Sequence, residues 1–141
     1  MEIITKTIEE TTDFGKKFAH QLNAGDVVLL HGDLGAGKTT FTKGLALGFD
    51  IINEVVSPTF TLMNVYPVNS EKIKNLVHID TYRLNDEQDL IDIGIEDYLG
   101  KNDTVCLIEW PEKINSLLLN KKIINIAIES ISEQQRKITI Y

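Results

Sequence analysis

The sequence predicts an α/β domain of three layers: a central, mostly parallel sheet with antiparallel additions and a C-terminal hairpin. Three observations carry this. The runs Val27-Val28-Leu29-Leu30 and Val105-Cys106-Leu107-Ile108 are continuously apolar, the pattern of strands buried on both faces. Helix-like stretches alternate with the strands, the order that builds a parallel sheet. The tail alternates instead, with Ile124/Ile126/Ile128 and Ile138/Ile140 on either side of the polar residues 130–135. That is a closing antiparallel hairpin, with Arg136 opening its second strand.

Taken in order, residues 2–8 alternate weakly and suit an edge strand. Thr11, Thr12 and Asp13 offer N-caps for a helix carrying Phe14, Phe18 and Leu22 at i, i+4 and i+8. Asn23-Ala24-Gly25-Asp26 stops it and turns the chain into the strand at 27–30. A glycine-rich turn follows, and a helix from Lys38 to about Phe49 places Phe41 and Leu45 on one stripe. Residues 57–66 are β-prone, with Pro58 near the start where a strand tolerates it. Leu76-Val77-His78-Ile79 is a short strand ending at Asp80. Asn85-Asp86-Glu87 caps a helix with Leu90 and Ile91, interrupted by Gly94. The strand at 104–108 ends at Glu109.

Composition sets the limits. The chain has 141 residues, 43% hydrophobic and 25% charged, which suits one domain spanning 1–141 with its own core. Its 14 basic against 21 acidic side chains give a net charge of −7, and Arg83 and Arg136 are the two arginines. Neutralising a long stretch of nucleic-acid phosphates requires a basic footprint, so extended nucleic-acid binding by this chain is not expected. One cysteine, Cys106, excludes an internal disulfide and a cysteine-based zinc site. No apolar run approaches the roughly 20 residues of a membrane span, and the first residues lack a signal-peptide core. The expected location is the cytoplasm.

The informative segment is Gly32-Asp33-Leu34-Gly35-Ala36-Gly37-Lys38-Thr39-Thr40. It fits G-x-x-x-x-G-K-[ST] and lies between a buried strand and a helix, the context of a phosphate-binding P-loop. Average residue usage makes the bare pattern a chance event in roughly one chain of this length in two hundred. The glycines let successive N–H groups turn towards phosphate oxygens, and the helix N-terminus adds partial positive charge. Lys38 is placed to bridge β- and γ-phosphates, the Thr39 hydroxyl to take one Mg²⁺ position, and Thr40 to hold the α-phosphate side.

Such a loop needs a carboxylate at the end of a neighbouring strand, and the chain offers Asp80 and Glu109. Each follows an apolar strand and should emerge where α/β sheets bind ligands. One serves the metal, the other orients or deprotonates water; spacing does not assign which. Thr59 suits either a γ-phosphate sensor or an ordinary strand residue. His78 reads as a packed strand histidine rather than a ligand. Trp110 precedes Pro111 and ends its strand, either as packing or as a contact near the nucleotide.

Three classes of P-loop protein compete. A GTPase needs an N-K-x-D segment, which is missing. A small-metabolite kinase usually clamps its anionic partners with several arginines, and this chain has two. An ATPase that switches its contacts with partner proteins, or a nucleotide-gated binding module, needs fewer parts.

The P-loop together with Ser57-Pro58-Thr59-Phe60, His78-Ile79-Asp80-Thr81-Tyr82-Arg83-Leu84 and Ile108-Glu109-Trp110-Pro111 resembles the TsaE (formerly YjeE) family. These are bacterial ATPases of tRNA threonylcarbamoyladenosine biosynthesis. The match runs from about Val27 to Pro111 and is weaker towards both ends. The resemblance implies a compact P-loop fold, ATP and Mg²⁺ as ligands, and weak hydrolysis alone. It also implies action with TsaD and TsaB subunits on adenosine 37 of tRNA. Carried over, Lys38 is the P-loop lysine, Thr39 and Glu109 are Mg²⁺ ligands, and Asp80 is the catalytic acid. Thr59 is the switch-like threonine and Trp110 a tryptophan tied to activity. The nucleotide contacts from the N-terminal region and last strand correspond to Glu9 to Thr12 and Arg136, where Gln135-Arg136 replaces the frequent Gly-Arg.

Overall fold

A computed structural model of the chain describes residues 1–52, 55, 56, 58 and 62–141. Seven strands form one sheet: β1 (Glu2–Thr5), β2 (Asp26–His31), β3 (Met63–Pro67), β4 (Asn75–Asp80), β5 (Thr104–Glu109), β6 (Lys122–Ser130) and β7 (Arg136–Ile140). Their order across the sheet is β1-β7-β6-β2-β5-β4-β3. The four central strands, β6, β2, β5 and β4, run parallel, and β3, β7 and β1 add on antiparallel. The sheet therefore has the parallel centre, antiparallel additions and terminal hairpin that the sequence predicts. β6 is both the first arm of the hairpin and a parallel neighbour of β2, a long-range pairing that its own alternation does not signal.

Period-two alternation divides the core between the two faces. Val28, Leu30, Leu76, Val105, Leu107, Ile126 and Ile128 pack on one side with Phe18, Phe41 and Leu45. Those three come from α1 (Ile8–Ala19) and α2 (Lys38–Gly48). Val27, Leu29, Val77, Ile79, Cys106 and Ile108 pack on the other. There the cover is thin: α3 (Gln88–Asp92), a 3₁₀ turn at Ile95–Asp97 and a kinked 3₁₀ stretch at Pro111–Leu118. Asp86 supports α3 by accepting from the Gln88 N–H at 3.0 Å, and Gly94 leaves it with φ 94°.

Helix α1 begins earlier than its Thr11-Thr12-Asp13 segment suggests. Thr7 is the N-cap and accepts from the Glu10 N–H at 3.1 Å, while the Glu10 carboxylate accepts from the Lys6 N–H at 2.7 Å. This exchange, close to a capping box, satisfies two backbone donors and outcompetes the later caps. α1 and α2 touch at backbone distance. A Cβ on Gly44 would lie 2.1 Å from the Thr12 carbonyl oxygen, and one on Gly15 would lie 2.5 Å from that of Phe41. Among the described residues no helix is long and apolar enough to cross a membrane.

Candidate functional site

The parallel centre delivers three chain segments to one edge of the sheet. β2 ends at His31 and hands over to the glycine-rich loop, β4 ends at Asp80, and β5 ends at Glu109. Asp80 and Glu109 are register partners across adjacent strands. Alternation puts both on the α2 face, shared with Leu76 and Leu107. The loop returns over this edge and starts α2 at Lys38. A cavity of about 310 Å³ is bounded by Leu34, Gly35, Gly37, Lys38, Thr39, Thr40, Asp80, Glu109, Trp110 and Arg136. Three other clefts among the described residues are larger, two of about 650 Å³ and one of about 490 Å³. The first is the outer side of the loop against β6, the second an apolar groove between α2 and residues 50–52 and 55, and the third lies between the ends of α1 and α2 and residues 68–73. Among the described residues, the smaller cavity is the one that combines the helix start, two carboxylates, a lysine and an arginine, which makes it the candidate site.

Gly37 is the N-cap of α2 in the left-handed region at φ 108°, and a Cβ there would lie 3.0 Å from Arg136 Nε. A side chain at this position would be strained and would collide with the arginine. No side chain caps α2 and its first turn carries no acid, so its leading N–H groups and dipole are presented to the cavity. The Lys38 ammonium donates to the Gly32 carbonyl at 2.6 Å and sits 3.8 Å from the centre of the Trp110 ring. It is 6% exposed, and burial lowers its pKa from the usual 10.5, against the opposing pull of Glu109, Asp80, Asp33 and Glu112.

Glu109 is buried, and its Oε2 lies 2.7 Å from His78 Nε2 on the neighbouring strand. Asp80 is half-buried, and its Oδ1 accepts from the Tyr82 N–H at 2.9 Å. Thr81 joins the two strand ends: its N–H and hydroxyl both reach the Glu109 carbonyl, at 3.2 and 3.1 Å, and its hydroxyl also donates to the Trp110 carbonyl. Trp110 has φ 58°, left-handed for a non-glycine residue, and so breaks β5 immediately after Glu109. Its ring meets Tyr82 at 5.0 Å, forming an aromatic wall beside Lys38.

Of the residues singled out from sequence, Leu34, Gly35, Gly37, Lys38, Thr39, Thr40, Asp80, Glu109 and Arg136 line this one cavity. Gly32, Asp33 and Ala36 complete the loop and face the cleft on its outer side. One nitrogen of the Arg136 guanidinium, Nη1, is engaged with the hairpin turn, donating to the carbonyls of Ser132, Glu133 and Gln135. Glu9 and Thr12 lie on α1, with the Thr12 hydroxyl donating to the Ile8 carbonyl at 3.1 Å, and neither borders the cavity. Thr59 lies outside the described residues. His78 is the packed strand histidine that the sequence suggests, and its bond to Glu109 is the part the sequence does not show. A second support, His31, went unnoticed. The His31 ring at the root of the loop is held by Asn125 at 3.0 Å and faces Glu112 at 3.5 Å. Both pairings join residues far apart in sequence.

The sequence also matches a family model, "Threonylcarbamoyl adenosine biosynthesis protein TsaE", over residues 5–138. The chain belongs to the TsaE family. TsaE of Bacillus subtilis is 41% identical over 131 residues, covering 93% of this chain and 78% of that protein. TsaE of Treponema pallidum is 38% identical over 140 residues and covers 99% of both chains. The crystal structure of Bacillus subtilis YdiB superposes with a TM-score of 0.76 at 34% identity, covering 99% of this chain and 83% of that one. The TsaE fold is thus shared in sequence and in three dimensions.

Among the described residues no cluster of three or more His, Cys, Asp or Glu side chains forms a metal site. The donor set here fits Mg²⁺ nonetheless. That ion keeps several waters and is commonly held by one or two protein groups plus substrate phosphates. A buried carboxylate with one oxygen already fixed, and a hydroxyl across the same cavity, supply that minimum.

Proposed function

We propose that this chain is the ATP-binding and hydrolysing subunit of the machinery that installs threonylcarbamoyl on adenosine 37 of tRNA. In this reading it works as a nucleotide switch with TsaD and TsaB subunits in the cytoplasm. The single observation that carries the chemistry is the convergence of Lys38, Thr39, Asp80 and Glu109 on one cavity at the start of α2. The names of the relatives, "tRNA threonylcarbamoyladenosine biosynthesis protein TsaE", supply the pathway.

The loop N–H groups and α2 receive the phosphates, and Lys38 leaves the Gly32 carbonyl to bridge the β- and γ-groups. Thr39 and Glu109 would hold Mg²⁺, which would supply neutralisation of the charge developing on the phosphate oxygens. Asp80 faces the cavity from the neighbouring strand and is more exposed than Glu109. It orients the attacking water and accepts its proton. Thr59 is assigned the γ-phosphate-sensing role, and Trp110 with Tyr82 forms the wall beside the lysine. Net charge −7 leaves the grip on tRNA to the partner subunits.

The test is ATP turnover by the purified chain with and without TsaD and TsaB, alongside Lys38→Ala. Turnover rising sharply with the partners, and lost in the variant, is the expected result. A phosphorylated small metabolite formed by the chain alone would point to a kinase instead. Normal tRNA modification by Lys38→Ala would refute the ATP-dependent role.

A further inference from the structure

We propose that His78 is a positioning residue that sets the Glu109 carboxylate for Mg²⁺, an inference that rests on the nucleotide-site reading above. His78 lies on β4 opposite Leu107, one pleat before the Asp80–Glu109 pair. It is 3% exposed, and its Nε2 lies 2.7 Å from Glu109 Oε2. Its other nitrogen, Nδ1, is buried with no hydrogen-bond partner among the described residues.

An apolar side chain at this strand position would fill the space without an orphaned nitrogen. Leaving such a polar atom unpaired is unfavourable, because its lost hydration is not replaced. The bond to Glu109 is what the histidine provides in return. An N–H on Nδ1 would be buried with no acceptor among the described residues, so the donor is the Nε2 N–H that points at Glu109. His78 therefore holds Oε2 as a donor, and Oε1 is the oxygen left for the cavity that Glu109 lines. An imidazole N–H in this place fixes the carboxylate by a hydrogen bond, with no lysine or arginine needed to hold it. Partners of this kind typically contribute roughly 10–100-fold to metal affinity.

The experiment compares two substitutions of similar length that differ in donor capacity, His78→Gln and His78→Met. Binding of a non-hydrolysable ATP analogue is measured by calorimetry, in EDTA and across a Mg²⁺ titration. In His78→Met the half-saturating Mg²⁺ concentration should rise roughly 10–100-fold, with affinity in EDTA unchanged. In His78→Gln it should stay near the wild-type value. Equal behaviour of the two variants, or a matching loss in EDTA, would overturn the proposal by making the role merely structural. If the wild-type protein binds the analogue equally well with and without Mg²⁺, the metal-site reading itself fails. A measurement free of mutation is ¹⁵N NMR of the wild-type histidines. A protonated Nε2 on His78 supports the assignment, and a tautomer protonated at Nδ1 overturns it.

Discussion

Replacing Gly44 by alanine sets helix propensity against packing, and the geometry decides between them. In an isolated helix the change stabilises by about 1 kcal/mol. Here the new Cβ would sit 2.1 Å from the Thr12 carbonyl oxygen, 2.9 Å from its carbonyl carbon and 3.1 Å from its Cα. All three are backbone atoms, so no rotamer change relieves the contact. Reaching an ordinary separation of about 3.3 Å requires α1 and α2 to part by roughly 1 Å, and a gap of that size forfeits a quarter to a half of each dispersion contact. The contacts at risk include the rings of Phe14 and Phe18 against Phe41, at 6.1 and 5.9 Å between centroids. Overpacking of this kind costs about 1–3 kcal/mol, and the backbone target places Gly44→Ala near the upper end. After the propensity gain the net loss is about 2 kcal/mol. With an unfolding entropy of about 2.1 cal/mol/K per residue, each kcal/mol moves the melting temperature of a chain this long by about 3 °C. Calorimetry should therefore show Gly44→Ala melting about 6 °C below wild type. A variant melting at or above the wild-type temperature would refute the packing argument.

Further outcomes follow from the site and from the core. Lys38 has its pKa lowered by burial, and phosphate binding needs the charged form, so nucleotide affinity should be flat below that pKa and fall as pH rises through it. The alkaline limb should vanish in Lys38→Arg, as measured by calorimetry across pH. The same shift makes the lysine contribute to stability in the opposite sense: its burial cost is felt below the lowered pKa and fades as pH approaches 10.5. Glu109→Gln removes the negative charge while keeping the shape, and should lower kcat by about 100-fold or more while analogue affinity in EDTA changes little. Cys106, fully buried with its thiol pushed up to about 12, should resist a thiol reagent in the native protein and react at once in denaturant.

The parts legible in the sequence are those set by local pattern. The P-loop, the two buried strands ending in Asp80 and Glu109, and the alternation that makes β6 and β7 a hairpin all declare themselves within a dozen residues. What stayed hidden depends on distant partners. The pairing of His78 with Glu109 requires β4 to lie beside β5 in one register, which a histidine in a short apolar run cannot announce. Lys38 over the Trp110 ring likewise joins two segments whose meeting is a property of the sheet order. The start of α1 was locally readable: Thr7 and Glu10 have the spacing of a capping box, but the threonines at 11 and 12 are competing signals. Arg136 reaches the loop through the hairpin, and its Nη1 also engages turn carbonyls that sequence spacing does not reveal.

Thr81 ties the ends of β4 and β5 through the Glu109 and Trp110 carbonyls, so the two acidic groups share one rigid foundation. Such an arrangement behaves like a fixed anvil. The separation of the Asp80 and Glu109 backbones is set by the sheet register and is not an adjustable quantity. Adjustment falls to the groups carried on the opposing loop, above all the lysine, whose flexible stem can exchange one partner for another without disturbing a strand. On the function proposed above, a partner that stimulates turnover would act by presenting the phosphates to this pre-set backbone frame, not by rebuilding it.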